Sequence, residues 1–424
     1  MKVLIVTYYW PPAGGSGVQR WLKFVKYLQE FGIEPVIYTV SNPNYPITDS
    51  SLINDVPNNI TILKQPIWEP NNILKFFKNS KTEESAGFLN PNPSFLGKLL
   101  QYIRANYFIP DARKYWVKPS VTFLKKYISE NAIDLIITTG PPHSLHLIGL
   151  ELKKKFDVKW ISDFRDPWTE IDYFEQLPLT KKSKEKHKEL EEIVLKSSDS
   201  VLVIGKTMKE KYEKFSNSIH VLTNGYDSEI TKNNSQLDKK FTITHIGLMN
   251  SDRNPDIFWK AIKEISEINS SFAKDYRIQL VGKVAKEVKD SISFYNLKGV
   301  VDLGYLPHNE VTRFQEKSQI LLLAVNKVKS AKGIITGKIF EYLQAKRPIL
   351  AIGPVDGDLA EILTTTKSGE IFDFEDVTNL KSEILRLYNL YKKADIILNS
   401  RNIEQYHRRE LTFQLSKIIK ETIS

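Results

Sequence analysis

The 424-residue sequence contains no cysteine. That excludes disulfides, thiolate nucleophiles and cysteine-ligated zinc. No apolar run approaches the roughly 18 residues of a membrane-spanning helix. Met1-Lys2 leads into only a short apolar run at residues 3–6, and no small-residue cleavage site follows. A secretory signal needs both, so the expected location is the cytoplasm. Helix-turn-helix, zinc-finger and RNA-binding aromatic signatures are also missing, and nucleic acid is not an expected partner. No short internal repeat is visible.

What remains is an ordinary globular mixture, 41% hydrophobic and 26% charged. At roughly 100–200 residues per domain, the length suits two or three domains with their own cores. The net charge of +10 is compatible with phosphorylated substrates or an anionic membrane face.

Short apolar runs alternate with longer amphipathic ones, the rhythm of a parallel sheet covered on both faces. Residues 2–7, 35–39, 134–138, 159–163 and 200–204 read as strands of a first series. Residues 241–246, 277–281, 300–303, 319–325, 348–352 and 370–372 read as a second. Helices are expected at 18–31, 144–156 and 181–196, and one or two at 397–423. The stretch 42–120 is less regular and reads as an elaboration of the first domain. Its aromatic and basic segments, Phe76-Phe77-Lys78 and Arg104-Ala105-Asn106-Tyr107-Phe108, suit either an amphipathic cover helix or contact with a membrane or lipid-linked acceptor. The polar stretches 79–85 and 228–240 read as loops, the latter near a domain junction.

In open α/β sheets, ligands bind beyond the carboxyl ends of the strands, and the unusual residues collect there. After the first strand comes Pro11-Pro12-Ala13-Gly14-Gly15-Ser16-Gly17 and then a helix. Glycine backbone and a helix N-terminus together suit a phosphate, although a plain strand–helix turn has the same composition. The spacing is not that of a dinucleotide-binding loop. After residues 134–138, His143 is a candidate for contact with a sugar hydroxyl or for proton acceptance, or else a helix cap. Asp163-Phe164-Arg165-Asp166-Pro167-Trp168 offers carboxylates for sugar hydroxyls and an indole for a sugar face, or an internal ion pair that props its own loop.

In the second half, Arg253 follows a strand and can grip a phosphate, or else is a solvated arginine on a loop. Thr336-Gly337-Lys338 opens a helix, where backbone N–H groups and one ammonium make a compact phosphate clamp. Walker spacing is absent, which argues against an ATPase. Glu341, one turn on, can accept from both hydroxyls of a ribose. Asp356-Gly357-Asp358 resembles the metal-binding carboxylate pair of some sugar transferases, but it precedes a helix and reads more simply as a cap. No metal is expected.

In this order, these motifs resemble the retaining family 4 glycosyltransferases, with Leu222-Thr223-Asn224-Gly225-Tyr226-Asp227, Gly304-Tyr305-Leu306-Pro307 and Gly337-Lys338-Ile339-Phe340-Glu341-Tyr342-Leu343 as further carriers. Residues 163–168 and 338–343 resemble the bacterial surface-polysaccharide branch. The resemblance implies an α/β GT-B architecture: two facing Rossmann-like domains with a deep cleft between them. Residues 1–207 would form the acceptor-side domain and 208–404 the donor domain, with a helix at 405–424 packing back on the first. It implies a nucleotide-diphosphate sugar as co-substrate, no cofactor, and a glycan or lipid-linked acceptor. Gly14, Gly15 and Gly17 would face the donor phosphate. Arg253 and Lys338 would neutralise the diphosphate in place of a metal, with Thr336 and Gly337 beside them. Glu341 would hold the ribose, and the backbone at Tyr305 and Leu306 would read the base. His143, Asp163, Arg165, Asp166 and Trp168 would shape the acceptor and reaction side.

One departure stands out. The family often carries a second glutamate eight residues before the first-named one, and that position here is Gly333. A sugar-nucleotide 2-epimerase of the same fold and a nucleotide-sugar-binding subunit without activity are the competing readings.

Overall fold

The computed structural model describes residues 1–69, 95–171, 174–227, 236–306, 308–396, 398 and 400–424. The segments 76–78, 79–85 and 228–235 and Pro307, all singled out in the sequence, lie outside the described residues.

Two parallel sheets organise the chain, each in its own compact unit. The first unit comprises Met1–Thr223 and Arg408–Ser424, the second Asn224–His407. In the first unit the elements run β1 (Lys2–Val6), α1 (Ser16–Leu28), β2 (Glu34–Val40), β3 (Thr61–Gln65), α2 (Phe95–Tyr107), α3 (Lys114–Glu130), β4 (Leu135–Gly140), α4 (Ser144–Lys153), β5 (Lys159–Phe164), α5 (Lys181–Ser197), β6 (Ser200–Val203), α6 (Lys206–Tyr212) and β7 (Ile219–Val221). The sheet order is β3-β2-β1-β4-β5-β6-β7. β1 pairs in parallel with both β2 and β4, with Val3 opposite Pro35 on one side and Leu135 on the other.

Helices cover both faces of such a sheet, so its central strands are buried on both sides and mainly apolar instead of alternating. In β1, Leu4 and Val6 enter one core with Ile136, Trp160 and Leu145, while Val3 and Ile5 enter another with Trp21, Val25 and Ile137. The continuous apolar runs read from the sequence are these central strands. β3 and β7 escaped that reading. β3 is an edge strand buried only in part, and β7 has three residues, so neither carries an apolar run. β7 pairs with β6 and keeps residues up to Thr223 in the first unit, where the sequence reading had begun the second domain at 208.

The second unit runs β8 (Phe241–Ile246), α7 (Asp256–Ile268), α8 (Ser270–Asp275), β9 (Tyr276–Val281), α9 (Lys286–Phe294), β10 (Val300–Gly304), α10 (His308–Lys317), β11 (Ile320–Ala324), α11 (Lys338–Ala345), β12 (Ile349–Ile352), α12 (Asp358–Thr366), β13 (Gly369–Phe372) and α13 (Val377–Lys392). Its order is β10-β9-β8-β11-β12-β13. The last helix, α14 (Arg408–Ile423), belongs to the first unit. Leu411, Leu415 and Ile419 join the core of Trp21, Leu22 and Val25, and Arg409 pairs with Glu30 at 2.6 Å.

Candidate functional site

Each sheet starts in its middle. In the second unit the chain goes from β8 outward through β9 to β10, then returns to β11 and runs the other way through β12 to β13. The crevice beyond the carboxyl ends of β8 and β11 is therefore a topological switch point, the place where open α/β sheets bind ligands.

The strand ends are brought close by glycine. After β9, Gly282 has φ +121°, and a Cβ there would lie 2.3 Å from the carbonyl oxygen of Gly247, the residue that follows β8. Only glycine permits that approach. Beyond Gly247 the chain makes a short 3-10 turn, Ser251–Arg253. Arg253 donates from Nε to Asn326 Oδ1 at 2.9 Å and from Nη1 to the Leu248 carbonyl at 3.1 Å. Lys327 N–H donates to the Asp252 carbonyl at 2.7 Å. The loops after β8 and β11 are thus joined at two points.

Lys338 is the first residue of α11 and follows Gly337 at its N-cap. Its stem crosses Gly247, with Cε 3.3 Å from where a Cβ would stand. Its ammonium reaches Glu341 Oε2 at 2.9 Å, and the same oxygen accepts from Gln315 Nε2 at 3.2 Å. Thr336 Oγ1 accepts from Lys338 N–H at 3.4 Å. Arg253 at Leu248 and Lys338 at Gly247, 85 positions apart in sequence, are thus brought together, with Glu341 held on Lys338. Tyr305 and Leu306 follow the edge strand β10. Tyr305 is 88% exposed, and Leu306 is half-buried against the core of Leu321, Ile339 and Leu343. Two cations at the N-terminal end of α11 make this edge a site for a polyanion.

His245 was missed in the sequence. It is buried in β8, and its Nδ1 lies 3.1 Å from the Leu322 carbonyl of β11. Burial, with Arg253 and Lys338 nearby, pushes its pKa down to about 4. A neutral imidazole therefore lies beneath the cations. An imidazole at the carboxyl end of β8, next to the Gly247 loop, is the signal that could have found it.

In the first unit, β1 and β4 flank the corresponding switch point. Gly14 N–H donates to the Ile47 carbonyl at 2.9 Å. Gly15, at φ +80°, is the N-cap of α1, a conformation that favours glycine. Arg165 donates from Nη1 to the Gly17 carbonyl at 2.7 Å, from Nε to the Gly140 carbonyl at 3.3 Å and from Nη2 to the Pro141 carbonyl. Arg165 is therefore a brace that holds the loops after β1 and β4 together, and its guanidinium is spent on backbone instead of an acceptor. Asp166, half-buried, is the carboxylate closest in effect to it: burial lowers the Arg165 pKa, and Asp166 and Asp163 oppose that.

Three of the expected acceptor-side residues are corrected by their surroundings. Asp163 is fully buried, and its carboxylate accepts from Arg20 Nη2 at 2.8 Å, Trp21 Nε1 at 2.7 Å and Thr139 Oγ1 at 2.8 Å. It holds α1 to the sheet and is closed to a sugar. Trp168 is also buried: its Nε1 donates to His187 Nδ1 at 3.0 Å, and one ring face stacks on His143 with centroids 4.8 Å apart. No face remains for a pyranose. His143 stands at the N-cap of α4 but makes no capping bond. Asp111 caps that helix, accepting from Ser144 N–H at 2.9 Å and from its hydroxyl at 2.8 Å. Burial, then His146 and Arg165, holds the His143 pKa well below the usual imidazole range. His143 is thus a neutral ring with a buried, unpartnered Nδ1.

Residues 240–390 match the family model described as glycosyl transferases group 1, a span that holds Arg253, Tyr305, Leu306, Thr336, Lys338 and Glu341. No curated protein sequence matches the chain. Among solved structures, sucrose-phosphate synthase from Thermosynechococcus elongatus is similar at 14% identity and TM-score 0.61, over 99% of this chain and 98% of that one. The E. coli trehalose-6-phosphate structure bound with UDP-2-fluoro glucose is similar at 11% and 0.63, over 99% of both. A putative UDP-N-acetylglucosamine 2-epimerase from Listeria monocytogenes is similar at 12% and 0.55, over 99% and 96%. The matched segment and the fold support a glycosyltransferase of the GT-B type. Gly333 closes the short turn Ala331–Gly333.

Proposed function

We propose that this glycosyltransferase moves a hexosyl or acetamidohexosyl group from a nucleotide-diphosphate sugar to a glycan or lipid-linked acceptor, with retention of configuration, in the assembly of cell-surface polysaccharide. The observation that carries the reading is the gathering of Arg253, Lys338 and Glu341 at the N-terminus of α11 and the end of β8.

The bond from the anomeric carbon to the diphosphate oxygen breaks while the acceptor oxygen attacks from the same face. The acceptor's hydroxyl proton passes to the departing diphosphate. The transition state is oxocarbenium-like and accumulates negative charge on the leaving group. Arg253, Lys338 and the N-terminal end of the α11 dipole stabilise that charge, so the leaving group needs no metal. Glu341 takes the ribose hydroxyls, and the backbone at Tyr305 and Leu306 meets the base. The E. coli relative that holds UDP-2-fluoro glucose supports a nucleotide-sugar donor. The Listeria relative keeps a second reading in view, inversion at the donor's C2 with no acceptor.

A thermal-shift screen against nucleoside diphosphates and their sugars tests the donor. NMR of the donor over time, with and without acceptor glycans, tests the reaction. Stabilisation by a nucleotide sugar and acceptor-dependent consumption are expected. Conversion of the donor to its C2 epimer without acceptor favours the epimerase, and no nucleotide binding at all overturns both.

A further inference from the structure

We propose that Trp68, Glu69 and Arg113 form a saccharide subsite in the first unit, which takes a pyranose by two neighbouring free hydroxyls and one apolar face. The segment after β3 and the start of α3 meet there in two side-by-side pairs. Glu69 Oε1 lies 2.9 Å from Arg113 Nε, and Trp68 meets Tyr115 edge-on with ring centroids 5.1 Å apart. Tyr8, two residues beyond β1, donates its hydroxyl to the same Glu69 oxygen at 3.0 Å, and the Arg113 guanidinium lies over the Tyr8 ring at 4.8 Å. Asp111, just before α3, caps α4. The cluster therefore sits beyond the carboxyl ends of β1 and β3, on the side of the sheet where ligands bind.

An internal brace binds its polar atoms to protein, as Arg165 and Asp163 do. This pair does not. Arg113 keeps only 17% of its side chain exposed, yet no guanidinium nitrogen donates a hydrogen bond to a described residue. Its Nε faces Glu69 off the line that a hydrogen bond needs and is buried. Glu69 is buried as well, and its Oε2 accepts from nothing. Buried polar atoms in native proteins are nearly always paired, so a donor fork beside an unused acceptor points to a ligand that can complete them.

The chemistry of the pair selects the ligand. Glu69 offsets the charge of Arg113, so a bare anion gains little there. Hydroxyls accept from the planar Nη fork and keep a proton to donate, and the fork matches oxygens on adjacent carbons. Trp68 supplies the other half of the site. It is 53% exposed although the backbone beneath it is fixed: Asn42 donates to the Ile67 carbonyl at 3.0 Å and accepts from Ile67 N–H at 2.7 Å. The indole is thus held out in water beside a hydroxyl-binding pair, where it suits the C–H face of a sugar ring. Asp163 and Trp168 are closed to a sugar, and Arg113 and Trp68 offer the polar group and the indole instead. If the proposed transfer holds, the pyranose belongs to the acceptor glycan. That corollary rests on the transferase reading, and the subsite does not.

Saturation-transfer NMR of the full chain with the methyl glycosides of glucose, galactose and mannose, each beside its fully O-methylated form, tests the inference. At least one free glycoside should bind, and its methylated form should bind about tenfold more weakly. Trp68→Ala should weaken binding by about five- to tenfold, and Trp68→Tyr should restore most of it. Arg113→Lys keeps the charge beside Glu69 but loses the fork, and should weaken binding by about tenfold. Trp68 is exposed, so the thermal unfolding of its variants should match the parent's, and they test the subsite even where Arg113→Lys fails to fold. The inference is overturned if no free glycoside binds, if the methylated forms bind equally well, or if Trp68→Ala binds as the parent does. Inorganic phosphate that displaces the glycosides marks an anion site and overturns it too. Absence of nucleotide-sugar binding, with glycoside binding intact, would remove the transferase reading alone.

Discussion

Arg253 donates from Nε to Asn326 Oδ1 at 2.9 Å, and this bond spans the loops that follow β8 and β11. The guanidinium is aimed before any ligand arrives, so little ordering remains to be done when a diphosphate binds. Arg253→Ala should slow transfer by about a hundredfold. Asn326→Ala leaves the charge but removes an anchor, and should cost about five- to tenfold. Steady-state kinetics with a nucleotide-sugar donor checks both. Equal losses would mean that the amide, and not the cation, dominates.

Lys338 and Glu341 form an i,i+3 pair on the first turn of α11, and each is about one-third exposed. Water screens such a pair, so its worth to stability is small, roughly 0–1 kcal/mol. Its functional worth is larger. Lys338→Ala should slow transfer by about a hundredfold or more, with a melting temperature near the parent's. Near-native turnover in that variant would take Lys338 out of the chemistry.

Asp163 behaves oppositely. Removing its charge strands the buried Arg20 guanidinium, and Asp163→Asn should destabilise the first unit by about 3–5 kcal/mol. Urea unfolding measures this. The Arg20 ion pair and its hydrogen bonds outweigh burial and hold the Asp163 pKa below its usual value. A depressed carboxylate stabilises the fold above its unfolded pKa, about 3.9. That stability is lost as pH falls below that point, and Asp163→Asn should flatten this acid limb.

Histidines set a different pH window. Burial pushes His146 down to about 3 and His187 and His245 to about 4. Their stabilising effect is complete above the unfolded imidazole value of about 6.5. As pH falls below it, the unfolded chain takes up protons that the folded chain refuses. Each such histidine should steepen the loss of stability by up to about 1.4 kcal/mol per pH unit between those limits. Denaturant unfolding at about pH 7 and pH 5 should show the drop, and His187→Gln should make it smaller. A pH-independent midpoint across this range would contradict the buried neutral state of these rings.

The central strands, the alternation with helices and the positions of Arg253, Lys338 and Glu341 at strand or helix ends were all legible in the sequence. They depend on local patterns, namely continuous apolar runs, glycine stops and basic residues at helix starts. Contact across the chain decided the rest. The residue string around Asp163 reads the same whether its carboxylate faces a sugar or a buried arginine. Arg20, 143 positions away, decides between them. Trp168 is closed to ligands because His143 and His187 occupy its face and its nitrogen. α2 and α3 lie in the stretch 42–120, which reads from the sequence only as an irregular elaboration of the first domain. Apolar pattern and turn chemistry therefore determined the central strands and the helices between them from sequence alone, while the edge strands and the pairing of buried polar groups, which is non-local, were decided only in the folded structure.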